Sequence, residues 1–323
     1  MARTVRKRIL VTGGNGFVGR TVARLLCDEH TVCVVDNLRS ESLRFGREEL
    51  AKIAFAQVDI RDEPAVGQLM TEFAPDTIIH LAAIHYIPEC EQFPGLAVQT
   101  NVQGTVNLLA HAPRGARFVF ASSGAVYHPD DKPHVESTAK LAPTDIYGYT
   151  KLHGEHYVRH FALMRDLSAV VVRLFNVAGP GETNPHLLPE IVAQLKAGRT
   201  TLRLGNMSPK RDYIHVRDAA RGFIAVALKD GISAGNTLTV NLGTSHTYSV
   251  AEIVTKLQRL VTVEFTTEQE ASRLRKVDRP HLAADISEIR NRFGWTPQAT
   301  IDDALADLWR EPDLSPVLTA KYQ

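Results

Sequence analysis

RILVTGGNGFVG, residues 8 to 19, is the stretch that decides the fold of this chain. Its apolar start, Arg8–Thr12, predicts a buried strand, and the segment that follows, Phe17–Cys27, predicts an amphipathic helix. Glycines between a strand and a helix permit a tight turn and a close approach of the backbone to a ligand. The N–H groups and the dipole at the start of such a helix favour a phosphate group. The stretch therefore predicts a dinucleotide-binding turn of the Rossmann type.

An acidic residue after the second predicted strand indicates which dinucleotide the turn binds. Asp36 stands about 20 residues beyond the glycines, where a carboxylate accepts hydrogen bonds from ribose hydroxyls. It would repel a 2′-phosphate, which favours NAD over NADP. Arg39 lies close by and could accept that phosphate, so NADP stays open as an alternative. Asp59, at the end of the third strand, is expected beside the adenine.

The first half of the chain alternates short apolar strands with helices. Such alternation is typical of a parallel sheet that is covered on both faces. We predict an α/β fold, a Rossmann-type doubly wound parallel sheet with a smaller C-terminal α/β substrate lobe. Residues 1–176 would form the NAD-binding domain, with returning segments near 211–243, and residues 177–323 the substrate lobe. Besides the first strand and helix, the predicted strands are 31–35, 53–58, 77–80, 117–121, 169–174, 214–216 and 237–241, and the predicted helices are 63–73, 96–111, 147–164, 188–196, 249–260, 287–293 and 301–309.

Length, charge and cysteine content argue against several other classes of protein. With 323 residues, 44% of them hydrophobic, the chain can bury a core without disulfides or a metal. A formal net charge of +1 offers no field for nucleic acid or an anionic membrane, and no apolar run is long enough to span one. Cys27, Cys33 and Cys90 show no CxxC spacing, which favours reduced thiols and a cytoplasmic location. We therefore expect no nucleic-acid, membrane or metal partner.

Tyr147 and Lys151 are the candidate acid/base pair. They stand four residues apart on one predicted helix, so their side chains leave the same face. A phenol is a poor base at neutral pH, but a neighbouring ammonium and a positive nicotinamide ring favour the phenolate and lower its pKa. Ser122 and Ser123 follow a predicted strand at the carboxyl edge of the sheet, where ligands bind. A serine hydroxyl there can hold a substrate oxygen while Tyr147 takes its proton.

Taken together, these motifs resemble the extended short-chain dehydrogenase/reductases, and within them the nucleotide-sugar epimerases and dehydratases. The resemblance covers nearly the whole chain, and it implies that Ser123, Tyr147 and Lys151 form a catalytic triad beside a tightly held NAD. It rests on Gly13-x-x-Gly16-x-x-Gly19, Asp36, His80-Leu81-Ala82-Ala83, Asn101 with Gly104-Thr105, Ser122-Ser123, Tyr147-x-x-x-Lys151, Arg173-x-Phe175-Asn176 and Arg211-Asp212-Tyr213-Ile214-His215-Val216. The NAD contacts that it implies, besides Tyr147 and Lys151, are Gly13, Asn15, Gly16, Phe17, Val18, Asp36, Asn37, Asp59, Ile60, Leu81, Ala82, Ala83 and Asn101.

Two small residues after the serines indicate which reaction to expect. The related dehydratases place acidic residues there, the similar nucleotide-glucuronate decarboxylases a Glu, and the fucose-type epimerase/reductases a Cys. This chain has Gly124 and Ala125, which neither give nor take a proton. The resemblance therefore favours an NAD-dependent 4-epimerase, first of all of a UDP-hexose, that passes through a 4-keto intermediate. A nucleotide-4-keto-sugar reductase that uses NADH or NADPH, a GDP- or CDP-sugar epimerase and a non-enzymatic NAD-binding scaffold remain open.

The substrate contacts are expected at the sheet edge and in the second lobe. Arginines suit a diphosphate because guanidinium binds oxyanions in a bidentate way. The resemblance places Leu282 at the sugar 2-position, and leucine is smaller than the tyrosine of the strictest glucose/galactose enzymes, so N-acetylhexosamines are not excluded. The similar glucuronate epimerases carry Thr where this chain has Asn176, which favours a neutral hexose. The expected substrate residues are His85, Ser122, Ser123, Asn176, Leu187, Arg211, Arg275 and Asp278.

A homodimer is also expected from the resemblance. The relatives commonly dimerise through two helices of each subunit. In this chain the candidates are the predicted helices 96–111 and 147–164.

Overall fold

The computed structural model describes residues 5–39, 42–182, 184–273 and 279–322; for Ser272 and Val317 it describes the backbone alone. The strands are β1 (Arg8–Thr12), β2 (Thr31–Asp36), β3 (Ile53–Gln57), β4 (Thr77–His80), β5 (Arg117–Ser123), β6 (Ser168–Leu174), β7 (Asn176–Ala178), β8 (Thr201–Leu204), β9 (Lys210–His215), β10 (Thr237–Leu242), β11 (Thr247–Ser249), β12 (Thr266–Gln269) and β13 (His281–Leu282). The helices are α1 (Phe17–Leu26), α2 (Arg47–Leu50), α3 (Glu63–Phe73), α4 (Ile87–Gln92), α5 (Pro94–Val98), α6 (Gly104–His111), α7 (Ile146–Arg165), α8 (Leu187–Lys196), α9 (Val216–Leu228), α10 (Val250–Leu260), α11 (Ser287–Phe293), α12 (Ile301–Arg310) and α13 (Pro316–Tyr322).

The main sheet has seven parallel strands in the order β10-β6-β5-β4-β1-β2-β3. The chain order reverses between β1 and β4, and such a switch point is where doubly wound sheets bind ligands at their carboxyl edge. β10 returns from the C-terminal half of the chain and pairs with β6. The predicted doubly wound fold class is confirmed.

The strands of the main sheet are apolar along their whole length because both faces are covered. On β1, Ile9 and Val11 pack into one apolar layer while Leu10 packs into the other. The first layer holds α1 and α9, and the second holds α3, α6 and α7. Each buried side chain of this size contributes about 1.5–3 kcal/mol, so the two layers fix the sheet that carries the cleft.

The second lobe has its own apolar core, formed by α8, α10, α12 and the small strands beside them. β9 lies between β11 and β13 and also pairs with β7, while β8 pairs with β12. Ser249 caps α10, and the side chain of Glu252 bonds back to its N–H at 2.7 Å, which confirms the capping box that the sequence predicts.

Two secondary-structure predictions need correction, and several elements were not predicted. The predicted helix 96–111 is broken: α5 ends at Val98, a π-helical stretch follows at Gln99–Gln103, and α6 begins at Gly104. In that stretch the buried side chain of Asn101 forms hydrogen bonds with the backbone of Ile84. Short π-helical turns inside α-helices are frequent at functional sites. The predicted strand 214–216 is displaced, because β9 ends at His215 and Val216 already begins α9. The elements that were not predicted include the helix α9 and the strands β8 and β12; the four residues of β12 are all exposed and lack an apolar face. Within the described residues, no helix is long and apolar enough to cross a membrane.

His80, at the end of β4, is a buried group whose titration should be visible in the stability of the fold. Its Nδ1 lies 2.7 Å from the hydroxyl of Thr12, and its Nε2 lies 2.9 Å from that of Thr105. Burial, helped by the charge of Lys151, lowers the pKa of His80 to about 3. An unfolded histidine binds its proton near pH 6.5, so between these values the unfolded state holds more protons and stability falls as pH falls.

We expect the free energy of unfolding, measured in urea, to decrease from pH 6.5 to 5, with His80 contributing up to about 1.4 kcal/mol per pH unit. A His80→Gln variant should show a correspondingly shallower pH dependence. His128→Gln, at an exposed position, is the matched control and should leave the slope unchanged. Identical slopes for the protein and His80→Gln would contradict the prediction.

Candidate active site

A cleft of about 2010 Å³ follows the carboxyl edge of the main sheet and continues beneath the second lobe. A pocket for one small ligand has a volume of roughly 300–1,000 Å³, so this cleft has room for a dinucleotide and a second ligand together. Its walls include the turns after β1, β2, β4 and β5, the start of α8 and the strand β13.

The glycine turn after β1 brings the backbone close to the floor of the cleft. Gly13 has φ +66°, and a Cβ on it would lie 2.7 Å from the backbone nitrogen of Ala82. A Cβ on Gly19 would lie 2.2 Å from the carbonyl oxygen of Gly13. Gly16 caps α1 without a side-chain hydrogen bond, and the start of this helix lines the cleft. The turn fits a pyrophosphate, as the sequence predicts.

Gly13→Ala should reduce the NAD content of the purified protein, because the added methyl meets both a left-handed backbone and the Ala82 peptide. The left-handed conformation alone costs about 1–2 kcal/mol for alanine. Gly115→Ala is the matched control, since Gly115 has φ +78° and nothing within 4 Å of a built Cβ. Extraction of bound nucleotide checks the result; equal NAD content in both variants would contradict the role of the turn.

The expected ribose end of the cleft is lined by Asp36, Asn37, Asp59 and Ile60. Asp36 accepts hydrogen bonds from the backbone N–H groups of Asn15 at 3.1 Å and of Leu38 at 2.9 Å. Burial outweighs these bonds and raises the pKa of Asp36. The carboxylate is thus held in place with acceptor capacity towards the cleft.

The neighbouring charges at this end are already paired. Hydrogen bonds from Arg61, one of them 2.7 Å long, and from Asn37 at 3.0 Å hold the pKa of Asp59 well below its usual range. Arg39, which the sequence analysis considered as a partner for the 2′-phosphate of NADP, contacts the carboxylate of Glu89. This pairing leaves Arg39 less suited to a 2′-phosphate.

Ser123, Tyr147 and Lys151 all line the same part of the cleft. Ser123 ends β5, and its hydroxyl oxygen accepts the N–H of Ala125 at 3.1 Å. Tyr147 lies in the first turn of α7, which Asp145 caps through a 2.7 Å bond from the N–H of Gly148. The ammonium of Lys151 lies 5.8 Å from the centre of the Tyr147 ring. The strand end and the helix start therefore bring the predicted triad together.

The pKa values of this group differ in part from the sequence argument. Lys151 was expected to lower the pKa of Tyr147, but burial dominates and raises that pKa, and the hydrogen bond with Ser123 offsets only part of the rise. Burial also lowers the pKa of Lys151 to about 8. The protein alone therefore keeps Tyr147 as a neutral phenol, suited to donate a proton, and a positive nicotinamide ring would be needed to favour the phenolate.

Arg279 is a positioning residue that the sequence reasoning missed. Its buried guanidinium donates to the carbonyl oxygens of Ala125 at 2.8 Å and Tyr127 at 3.2 Å, and it pairs with Asp145 at 3.4 Å. It thereby fastens the turn after Ser123 to the start of α7. No sequence motif announces this role, because the contacts are mostly to backbone oxygens.

Three residues predicted as ligand contacts have side chains that form hydrogen bonds inside the protein. Ser122 lines the cleft, and its hydroxyl donates to the buried carboxylate of Glu155 at 2.7 Å. Asn101 bonds both backbone groups of Ile84, at 2.8 and 2.9 Å, and ties that turn to α7 through a 3.0 Å bond to the hydroxyl of Thr150. The side chain of Asn15 bonds to Ser42 and Arg44, each at 2.8 Å. Asn15 and Asn101 shape the walls of the cleft without lining it.

The remaining predicted residues that the structure describes line the cleft. Arg211 donates to the carbonyl oxygen of Arg279 at 2.6 Å, which holds its guanidinium at the wall. Arg275 and Asp278 lie outside the described residues. The other predicted residues that line the cleft are Gly13, Gly16, Phe17, Val18, Leu81, Ala82, Ala83, His85, Asn176, Leu187, Arg211 and, at the expected sugar 2-position, Leu282.

Two further cleft residues, Glu182 and His186, were not predicted. Glu182 is only 5% exposed, and His186 stands immediately before α8. Together with His85 they form a cluster of three potential metal ligands. The four-residue spacing of Glu182 and His186 is only a weak indication of a shared site. Nothing in the sequence predicts that His85 lies beside them.

This chain is similar to known proteins over nearly its whole length. The model of the "NAD dependent epimerase/dehydratase family" matches residues 9–243. A curated UDP-glucose 4-epimerase of Mycolicibacterium smegmatis is 34% identical over 311 residues, which cover 93% of this chain and 96% of the relative. The crystal structure of a UDP-glucose 4-epimerase from Stenotrophomonas maltophila, with bound NAD and formylated UDP-arabinopyranose, is 28% identical with a TM-score of 0.83, over 94% of this chain and 97% of that one. The Bifidobacterium longum UDP-glucose 4-epimerase, solved with NAD+ and UDP, is 26% identical with a TM-score of 0.84, over 94% and 99%.

Proposed function

The chain belongs to the NAD dependent epimerase/dehydratase family, and on that premise we propose that it is a 4-epimerase of UDP-hexoses. It is an NAD-dependent sugar-nucleotide epimerase, by its family and by its similarity to 4-epimerases over nearly its whole length. The proposal adds the substrate, the course of the reaction and the role of each residue. The observation that carries it is the meeting of Ser123, Tyr147 and Lys151 in a cleft where Gly124 and Ala125 bring no further acid or base.

The proposed reaction moves one proton and one hydride and then reverses both transfers. A bound NAD would supply the hydride acceptor for the first transfer and the hydride donor for the return. Tyr147 takes the proton of the sugar 4-hydroxyl, and Ser123, which is bonded to Tyr147, holds the same oxygen. Lys151 binds the cofactor ribose, and the positive nicotinamide ring of bound NAD would favour the phenolate of Tyr147 that takes this proton. The 4-keto sugar then turns about its diphosphate link, so that the hydride returns to its other face.

The direct test is incubation of the protein with UDP-glucose or UDP-galactose without added NADH. The proposal expects interconversion followed by NMR, because the cofactor is regenerated within each cycle. A 4-keto-sugar reductase would instead consume NADH stoichiometrically. Interconversion of GDP- or CDP-hexoses, but not UDP-hexoses, would identify a different nucleotide. A protein that retains NAD and turns over none of these substrates would overturn the proposal.

Leu282 offers a test of the sugar that the cleft admits. It is 7% exposed on β13, where it pairs with Arg211 on β9. We expect the enzyme to accept UDP-N-acetylglucosamine as well as UDP-glucose, and Leu282→Tyr to fill the space for the acetamido group. The ratio of kcat/KM for the N-acetylated over the plain sugar should fall at least about tenfold. Leu282→Met, which keeps the volume, is the control; an unchanged ratio in Leu282→Tyr would show that another residue limits this position.

We also propose a homodimer and a cytoplasmic location. Large apolar side chains are exposed on the two regions expected to pair, on α7 at Tyr149, Leu163 and Met164 and at the end of α5 at Val98. A second subunit would remove this surface from water. The three cysteines are free and buried, which supports a reducing compartment.

A further inference from the structure

Three side chains with metal-binding atoms meet where the two lobes face each other across the cleft. His85 follows β4 in the nucleotide-binding half, while Glu182 and His186 lie between β7 and α8. Their donor atoms all lie within 4.8 Å of one another. Nδ1 of His186 is 3.2 Å from one oxygen of Glu182, and Nε2 of His85 is 3.8 Å from the other.

These separations are close to those of a metal-bound set. Bonds of about 2.0–2.2 Å in a tetrahedral site place neighbouring donor atoms roughly 3.3 Å apart. The donor atoms of His85 and His186 lie within 4.8 Å of each other. Two histidines and one carboxylate are also a common donor set of zinc and non-haem iron sites that keep an open position.

The charge of Glu182 supports the same conclusion. Its side chain is 6% exposed, and a buried carboxylate is expensive unless a cation or a metal compensates it. Among the described residues, its ion-pair partners are His85 and His186, which are positive only when protonated. A divalent cation would balance the carboxylate at any pH at which these histidines are neutral.

Asn184 contacts two members of this cluster. Its backbone N–H donates to Glu182 at 3.2 Å, and its side-chain amide lies 3.1 Å from Nε2 of His85. A metal bound through Nε2 of His85 would replace this second contact.

We propose that His85, Glu182 and His186 bind one divalent transition-metal ion, of the class represented by Zn²⁺, with an open coordination position towards the cleft. All three residues line the cleft, so a water or a substrate oxygen can complete the coordination. The ion would also link the turn after β4 to the start of α8. The site goes beyond the proposed epimerase reaction, which does not require it.

The test is metal binding by the full-length protein after dialysis against a chelator, measured without any sugar nucleotide. Titration with Zn²⁺ by calorimetry and with Co²⁺ by visible absorption should each give one equivalent, and Zn²⁺ should raise the thermal midpoint. Glu182→Gln and His186→Ala should each weaken binding by at least about 10–100-fold, the loss seen even for an outer partner of a ligand. His246→Ala, at an exposed histidine outside the cleft, is the control and should bind normally.

Equal affinity in the control and in both cleft variants would overturn the proposal, as would the absence of a Zn²⁺ or Co²⁺ equivalent in the unsubstituted protein. Because binding is measured without substrate, a failed epimerase assay leaves this result unaffected. The circular dichroism spectrum of each variant identifies any loss of fold.

Discussion

Tyr147→Phe should lower kcat for UDP-hexose interconversion by about 10²–10⁴-fold, the usual contribution of a positioned acid/base. The substitution removes only the hydroxyl that interacts with Ser123 at the cleft and leaves the ring beside Lys151. The protein should therefore still fold and retain NAD, so that the loss appears in the chemical step. Single-turnover kinetics and the amount of NAD released on denaturation measure these two effects separately.

Tyr157→Phe is the matched control, because Tyr157 is on the same helix, is 39% exposed and does not line the cleft. It should keep the activity of the unsubstituted enzyme. If Tyr147→Phe keeps more than a tenth of the activity, Tyr147 is not the acid/base, and the proposed course of the reaction is wrong even if the epimerase assignment holds.

The elements that the sequence predicts well are those whose pattern is local. The limits of β1, β4, α3 and α11 agree with the prediction because each has a distinct apolar pattern and clear end signals. The pair β8 and β12 depends on partners far apart in sequence, and the exposed strand β12 has no apolar face to reveal it. The break in the predicted helix 96–111 likewise follows from a tertiary contact, that of Asn101 with Ile84.

In the candidate site, too, the sequence identifies residues with a local pattern but not those whose role depends on tertiary contacts. The glycine turn, Asp36, Tyr147 and Lys151 can be identified because each has a fixed spacing from a strand or a helix. Side chains that face inward after the chain has folded, such as those of Ser122 and Arg279, cannot be assigned from spacing. The pKa of Tyr147 also depends on burial, which the sequence does not specify.

We expect the largest effect on stability from the buried ion pair between Glu155 on α7 and Arg173 on β6. Both side chains are almost completely buried, and Arg173 donates two 2.8 Å bonds to the carboxylate of Glu155. Burial opposes the charge on Glu155, but the bonds from Arg173 and Ser122 outweigh it and hold the pKa of Glu155 below its usual value. Arg173 also donates to the hydroxyl of Tyr127 at 2.9 Å. This network ties α7 to β6 and to the end of β5.

Glu155→Gln should lower the free energy of unfolding by about 3–5 kcal/mol, because it leaves the charge of Arg173 buried without a counter-ion. Urea unfolding at a fixed NAD concentration measures the change, since bound NAD also stabilises the fold. Asp166→Asn, in an exposed pair with Arg114, is the control and should cost no more than about 1 kcal/mol.

The double variant Glu155→Leu with Arg173→Leu distinguishes charge from packing. If the loss in Glu155→Gln comes from the unpaired guanidinium, removing both charges should recover most of the stability, as replacement of buried ion pairs by apolar residues often does. If the double variant is as unstable as the single one, the loss comes from the hydrogen bonds of Arg173 to Tyr127 and Glu155 and not from an unpaired charge. In that case the ion pair is needed to hold the end of β5, and with it Ser123, in position beside Tyr147.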